Sequence, residues 1–174
     1  GARGTSLVAA KQRNGKELSY NNLLDLDSAL GIVRPLSQAA CAVIKHNNPC
    51  GVAVASDLNA AYDRALACDP VSAYGGVIVV NRTVDNTLAE KLAGTFVEVL
   101  MAPGFDDDAF ATLTKKPNVR ILENRERRRL NPGEMDIRRV TGGLLIQDRD
   151  TETEDRDHMR VVTSTQPSEE QWGD

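Results

Sequence analysis

The sequence predicts an α/β domain in which helices cross over a sheet. Three observations predict it. Short apolar runs at Cys41–Ile44, Val77–Val80 and Phe96–Met101 read as strands. Between and after them, helical stretches open at Asp57, Asp85 and Asp106, acidic residues of the kind that begin helices. Strand and helix therefore alternate at least three times, the pattern of a sheet with helical connections. Finally, an apolar fraction of 41% is enough for a packed core.

In chain order, Ser6–Arg13 is predicted as a strand leading to the Asn14-Gly15 turn. Ser19 or Asn21 then caps a helix whose apolar face carries Leu23, Leu24, Leu26, Leu30 and Val33, with Pro35 just beyond its end. The next strand ends in Lys45 and His46. Asn47-Asn48-Pro49-Cys50-Gly51 follows and is predicted to be a turn. A helix capped by Asp57 runs through Ala61, Ala65 and Leu66 to about Asp69-Pro70. Ser72-Ala73-Tyr74-Gly75-Gly76 leads into the Val77–Val80 strand, and a helix runs from Asp85 to about Ala93. Pro103-Gly104 stops the Phe96–Met101 strand. Asp106–Thr114 is predicted helical and Val119–Leu122 a strand. Beyond Asn124 the pattern changes to a basic run at Arg125, Arg127, Arg128 and Arg129, then a glycine-kinked strand from Val140 to Ile146. Gln147–Asp157 reads as a charged, solvated segment.

A formal net charge of −4 and a pI near 5.3 argue against a nucleic-acid partner. The three cysteines, Cys41, Cys50 and Cys68, form no CxxC pair and no disulfide framework. That fits a reducing compartment, and the expectation is a cytoplasmic protein. No apolar run approaches the roughly 18 residues that suggest a membrane-spanning helix, so no membrane partner is expected. The last helix opens at Ser168, with Glu169 and Glu170 in its first turn, and the chain stops at Asp174. The expectation is a piece of a longer polypeptide, cut within that helix.

Lys45 and His46 are the first candidates for chemistry. Histidine titrates near working pH, and ligands in open α/β sheets sit outside the carboxyl ends of strands. Side chains of adjacent strand residues point to opposite faces, so both reach one ligand only if the strand has already ended. The pair reads either as an acid/base pair or as a strand-end lysine beside a hydrogen-bonded core histidine. Tyr74-Gly75-Gly76 precedes a strand rather than joining strand to helix, so it is no Rossmann or P-loop fingerprint. It is either a turn presenting amides to a ligand or a plain loop. His46 with Pro49-Cys50 echoes the zinc deaminase signature, but Asn48 replaces the glutamate and Ala53 the second cysteine, so no metal is expected.

The run Lys45-His46-Asn47-Asn48-Pro49-Cys50-Gly51-Val52-Ala53 resembles the K-H-x-N-P-C-G-V-A motif of a bacterial family of bifunctional purine-biosynthesis proteins. In that family aminoimidazole carboxamide ribotide (AICAR) formyltransferase is joined to IMP cyclohydrolase. Gly15-Lys16-Glu17-Leu18-Ser19-Tyr20-Asn21-Asn22 is similar to its G-K-x-L-S-Y-N-N. Ala61–Ala65, Asp69–Gly76, Phe96–Val99, Ala102-Pro103, Gly142–Leu145 and Gln147–Asp150 follow in the family's order.

The resemblance implies a cytidine-deaminase-like three-layer fold and makes residues 1–174 the first subdomain of the formyltransferase region, with the cyclohydrolase absent. It implies that 10-formyltetrahydrofolate is the co-substrate, passing its formyl group to the 5-amino group of AICAR. Carried across, His46 is the general base, and Lys45 donates to the folate nitrogen or stabilises the tetrahedral carbon. Asn22 would hydrogen-bond the ribotide, Tyr74 would stack on its imidazole where the family often has phenylalanine, Gly75 would let the backbone approach, and Glu98 would take the ribose hydroxyls. The family's active site lies at a homodimer interface, and several of its motifs have no counterpart here. The isolated chain is therefore expected to have little turnover. A rival expectation is a non-catalytic domain that binds a nucleotide or supports dimer assembly.

Overall fold

In the first of two compact units, buried β-branched runs and capped helices assemble into a six-stranded sheet with helices on both faces. The computed structural model describes residues 6–125, 133–150, 152 and 155–173. The chain divides into two compact units, Gly1–Arg129 and Leu130–Asp174.

The first unit begins with a 3-10 turn at Leu7–Ala9, so only part of the predicted Ser6–Arg13 strand forms, as β1 (Lys11–Asn14). Then come α1 (Tyr20–Val33), β2 (Ala39–Lys45), β3 (Asn48–Ala55), α2 (Leu58–Cys68), β4 (Gly76–Val80), α3 (Asn86–Ala93), β5 (Val97–Ala102), α4 (Asp107–Leu113) and β6 (Arg120–Glu123). The six strands lie in the order β1-β6-β5-β4-β2-β3. β4, β5 and β6 run parallel, joined by α3 and α4, while β2 and β1 flank them antiparallel.

The helices start where local chemistry starts them. Ser19 and Asn22 form a reciprocal capping box at α1. Asp57 accepts the Ala60 N–H at 2.9 Å, and Asp85 accepts that of Leu88 at 2.8 Å. Asp106 occupies the cap position of α4 without a side-chain cap bond.

Alternate residues of the central strands serve the two faces. Ala40, Ala42 and Ile44 of β2, with Val77, Val79, Val99 and Met101, pack against Leu26, Ala29, Leu30 and Val33 of α1. Cys41, Val43, Ile78, Val80 and Leu100 pack against Ala61, Tyr62 and Ala65 of α2, Leu88 and Leu92 of α3, and Ala109 and Leu113 of α4. The result is three layers, helix–sheet–helix, with each large aliphatic side chain so buried contributing roughly 1.5–3 kcal/mol.

The predicted Asn47–Gly51 turn is corrected. Only His46 and Asn47 turn the chain, and Asn48–Ala55 returns as β3 alongside β2. Pro49 is accommodated because β3 is the edge strand, where a missing N–H costs no ladder bond. Pairing jumps from Val43↔Gly51 to Ile44↔Pro49, leaving Cys50 as the extra residue of a β-bulge. Gly51 is dictated by packing, since a Cβ there would lie 1.9 Å from the Ala65 carbonyl oxygen of α2.

In the second unit, the predicted kinked strand Val140–Ile146 is instead a hairpin. β7 (Met135–Val140) pairs antiparallel with β8 (Gly143–Asp148), and Gly142 supplies the turn with φ +86°. A 3-10 turn at Arg156–His158 and α5 (Glu169–Gly173) follow. α5 opens as predicted, with Ser168 and Gln171 exchanging capping bonds. Of the basic run, Arg125 pairs with Glu123 at 3.3 Å. Arg127, Arg128 and Arg129 lie outside the described residues.

Candidate functional site

His46 and Asn47 form a two-residue hairpin turn with φ of +56° and +63°. Such a turn favours Asn-Gly, because both central residues sit in left-handed conformations. Holding histidine there costs about 1–3 kcal/mol and needs support from its surroundings. Two contacts supply it. Asp25, on α1, accepts the Asn47 N–H at 2.7 Å, and the Asn48 amide donates to the His46 carbonyl oxygen at 3.1 Å. β2 has ended by this point, so Lys45 and His46 are freed from strict face alternation. His46 is exposed and Lys45 half-buried.

Lys45 turns its ammonium onto the Tyr74 carbonyl oxygen at 2.9 Å. The next residue, Gly75, has φ +73°, and its N–H donates to the Phe96 carbonyl oxygen at 2.8 Å. A Cβ at Gly75 would meet the Phe96 ring at 3.0 Å, so glycine suits both the backbone conformation and the approach. The Tyr74 and Phe96 rings lie 5.3 Å apart, tilted by 47°, and are 63% and 48% exposed. Two large aromatic side chains this open on a small surface are suited to stacking on a flat ligand.

Two residues beyond Phe96 stands Glu98. Its carboxylate accepts from the Asn22 amide at 3.0 Å and faces the Arg120 guanidinium at 3.5 Å. Arg120 is in turn held by the Glu17 carbonyl oxygen at 2.8 Å. Asn22 is 4% exposed, and its carboxamide oxygen accepts the Ser19 N–H at 3.0 Å. Its amide therefore fixes Glu98 while its oxygen closes the helix cap.

All six predicted residues, Asn22, Lys45, His46, Tyr74, Gly75 and Glu98, thus gather along one edge of the sheet. Because β2 runs antiparallel to β4, its carboxyl end lies beside the amino ends of β4 and β5, with Ile44 opposite Val77. The site is at the amino edge of the parallel strands. At the opposite edge, a cleft of about 220 Å³ includes Arg34, Arg82, Met101 and Asn124 and none of the predicted residues.

Two of the three thiols, those of Cys41 and Cys50, are biased toward the protonated form. Burial pushes the Cys41 thiol up to about 12. Burial, then the nearby Asp69 carboxylate, raises that of Cys50, against the opposing pull of Lys45. Among the described residues, no group of three or more His, Cys, Asp or Glu side chains is placed to hold a metal ion. What the edge does offer is a cation, an imidazole, a fixed carboxylate, a close-approach glycine and two open aromatic rings.

Sequence reasoning missed three members. Asp25 carried a signal, as an acid within the apolar stretch of α1. Phe96 was read as the first strand residue, whereas β5 begins at Val97. Arg120 stood unremarked in the predicted Val119–Leu122 strand.

The sequence matches the family described as AICARFT/IMPCHase bienzyme over residues 2–174. It is 48% identical over 169 residues to the bifunctional purine biosynthesis protein PurH of Lacticaseibacillus casei, covering 96% of this chain and 33% of that protein. To the proteins of that name from Staphylococcus carnosus and Persephonella marina it is 44% and 42% identical, covering 96% and 99% of this chain and 34% and 33% of theirs. The chain spans about a third of the length of the curated relatives it matches. Among solved structures it is similar to a protein described as a formate dehydrogenase accessory protein from Desulfotalea psychrophila. The TM-score is 0.50 at 10% identity, covering 79% of this chain and 60% of that one, a likeness of fold alone.

Proposed function

Because this chain belongs to the AICARFT/IMPCHase bienzyme family, we propose that it is the first, cytidine-deaminase-like subdomain of an AICAR formyltransferase in purine biosynthesis. The observation that carries this reading is the convergence of Lys45, His46, Gly75 and Glu98 on one edge, from the end of β2, the turn that follows it, the turn before β4, and β5.

In the proposed reaction the 5-amino group of AICAR attacks the formyl carbon of 10-formyltetrahydrofolate. A carbon–nitrogen bond forms there, and the bond from that carbon to the folate nitrogen breaks. His46, exposed on its turn, takes the proton that the amine loses. Lys45 supplies a proton to the departing nitrogen or offsets charge on the tetrahedral carbon, assistance of a kind worth about 10²–10⁴-fold per group. Tyr74, beside Phe96, stacks on the imidazole, and Gly75 lets the backbone close on it. Glu98, steadied by Asn22 and Arg120, accepts from the ribose hydroxyls. Asn22 then serves the ribotide chiefly through Glu98, since its oxygen is engaged by Ser19.

The product FAICAR is closed to IMP elsewhere in the parent protein. AICAR and folate are the partners, in a cytoplasmic homodimer; the free cysteines are compatible with that compartment.

The test is His46→Ala in the intact protein. Formyl transfer is expected to fall by orders of magnitude while affinity for AICAR changes far less. Unchanged formyl transfer would overturn the reading and favour a nucleotide-binding or assembly domain.

A further inference from the structure

We propose that Asp25 is a positioning residue that aims His46, acting through the backbone of the turn rather than by touching substrate. The inference rests on the formyl-transfer reading above and deepens it.

The turn is the weak point of the site. His46 and Asn47 both occupy left-handed backbone conformations, at φ +56° and +63°, and neither is glycine. A non-glycine pair relaxes readily to other turn shapes unless something outside the hairpin holds it. That holder is the Asp25 carboxylate, which accepts the Asn47 N–H at 2.7 Å across 22 positions of sequence. A carboxylate acceptor makes this bond shorter and stronger than a neutral one.

Asp25 itself is well anchored. Its neighbour Leu26 is fully buried, and Ala29 and Leu30 follow on the same packed face against β2. The helix cap needs nothing from Asp25, because Ser19 and Asn22 provide it. The chain of support therefore runs from the packed α1 face, through Asp25 and the Asn47 N–H, to the backbone that carries the imidazole. A displacement of about 1 Å in a reacting group can lower a rate by about 10²-fold, so the aim of His46 is worth holding.

The experiment is a double-mutant cycle in the intact protein, reading formyl transfer with AICAR and 10-formyltetrahydrofolate. Asp25→Ala is expected to lower kcat by about 10²-fold with KM for AICAR little changed. Asp25→Asn, which keeps an acceptor oxygen in place, is expected to retain most of the activity. In a His46→Ala background, Asp25→Ala is expected to add no further loss, because it acts through His46. If Asp25→Ala does not fold, Asp25→Leu, similar in size but without an acceptor, takes its place.

A full additive loss in the His46→Ala background, or an unchanged kcat in Asp25→Ala, would overturn the positioning role. So would equal loss in Asp25→Asn and Asp25→Ala. If His46→Ala alone leaves formyl transfer intact, the formyl-transfer reading fails instead. In that case the Asn47 amide resonance still reports whether Asp25 holds the turn, by an upfield shift in Asp25→Ala.

Discussion

Replacing Gly51 by alanine would put a Cβ 1.9 Å from the Ala65 carbonyl oxygen, 2.9 Å from its carbon and 3.0 Å from the Cys68 Cβ. The first two atoms are backbone of α2, so no side-chain rotation relieves the contact. Either β3 must move away from β2 or α2 must lift from the sheet, uncovering its own Ala61, Tyr62 and Ala65, which are all but inaccessible to solvent. Overpacking of this kind costs about 1–3 kcal/mol. The rigidity of both partners places Gly51→Ala at the upper end, near 3 kcal/mol, against a total of about 5–15 kcal/mol for a typical domain. With a urea m-value of about 1–3 kcal/mol/M, the unfolding midpoint should fall by about 1–3 M. Gly31→Ala supplies the control. It lies within α1, with nothing within 4 Å of its added Cβ, and should raise stability by about 0.5–1 kcal/mol. Urea unfolding followed by circular dichroism measures both. A Gly51→Ala midpoint equal to that of the parent chain would refute the close approach of β3 and α2.

Two further predictions concern the thiols and the aromatic turn. Cys41 has a folded-state pKa raised from 9.0 to about 12, so the stability it contributes is complete below pH 9 and is lost as pH rises toward 12; alkaline unfolding of Cys41→Ala should be shallower over that window than that of the parent, and identical curves would refute the assignment. Gly75→Ala should destabilise by about 1–2 kcal/mol, because alanine is strained at φ +73° and its Cβ presses on Phe96; an unchanged midpoint in urea would count against that turn geometry.

The site was legible in the sequence where chemistry-bearing residues stood at the end of a recognisable element, as Lys45 and His46 do. It was illegible where a role depends on a partner far along the chain. Asn22 meets Glu98 across 76 positions, and Asp25 meets Asn47 across 22. Neither Asp25 nor Arg120 interrupts a local pattern strongly enough to name its partner. The hairpin turn shows the same limit from the other side. Pro49 and Gly51 are breakers by local rules, yet both sit within β3, one tolerated by an edge and the other required by α2.

By itself, then, the sequence determined the helices that begin at Ser19, Asp57 and Asp85, the apolar runs that became β2, β4 and β5, and the α/β class. Each of these follows from side chains acting on backbone within a few residues, through caps and hydrophobic periodicity. Tertiary structure alone decided that β3 is a strand and that β2 runs against β4. It thereby decided that the end of β2 arrives at the Tyr74 carbonyl and the amino edge of β5. Strand order and direction are settled by which faces can be buried together and which hydrogen bonds can close over long loops. No local window of the chain contains that information.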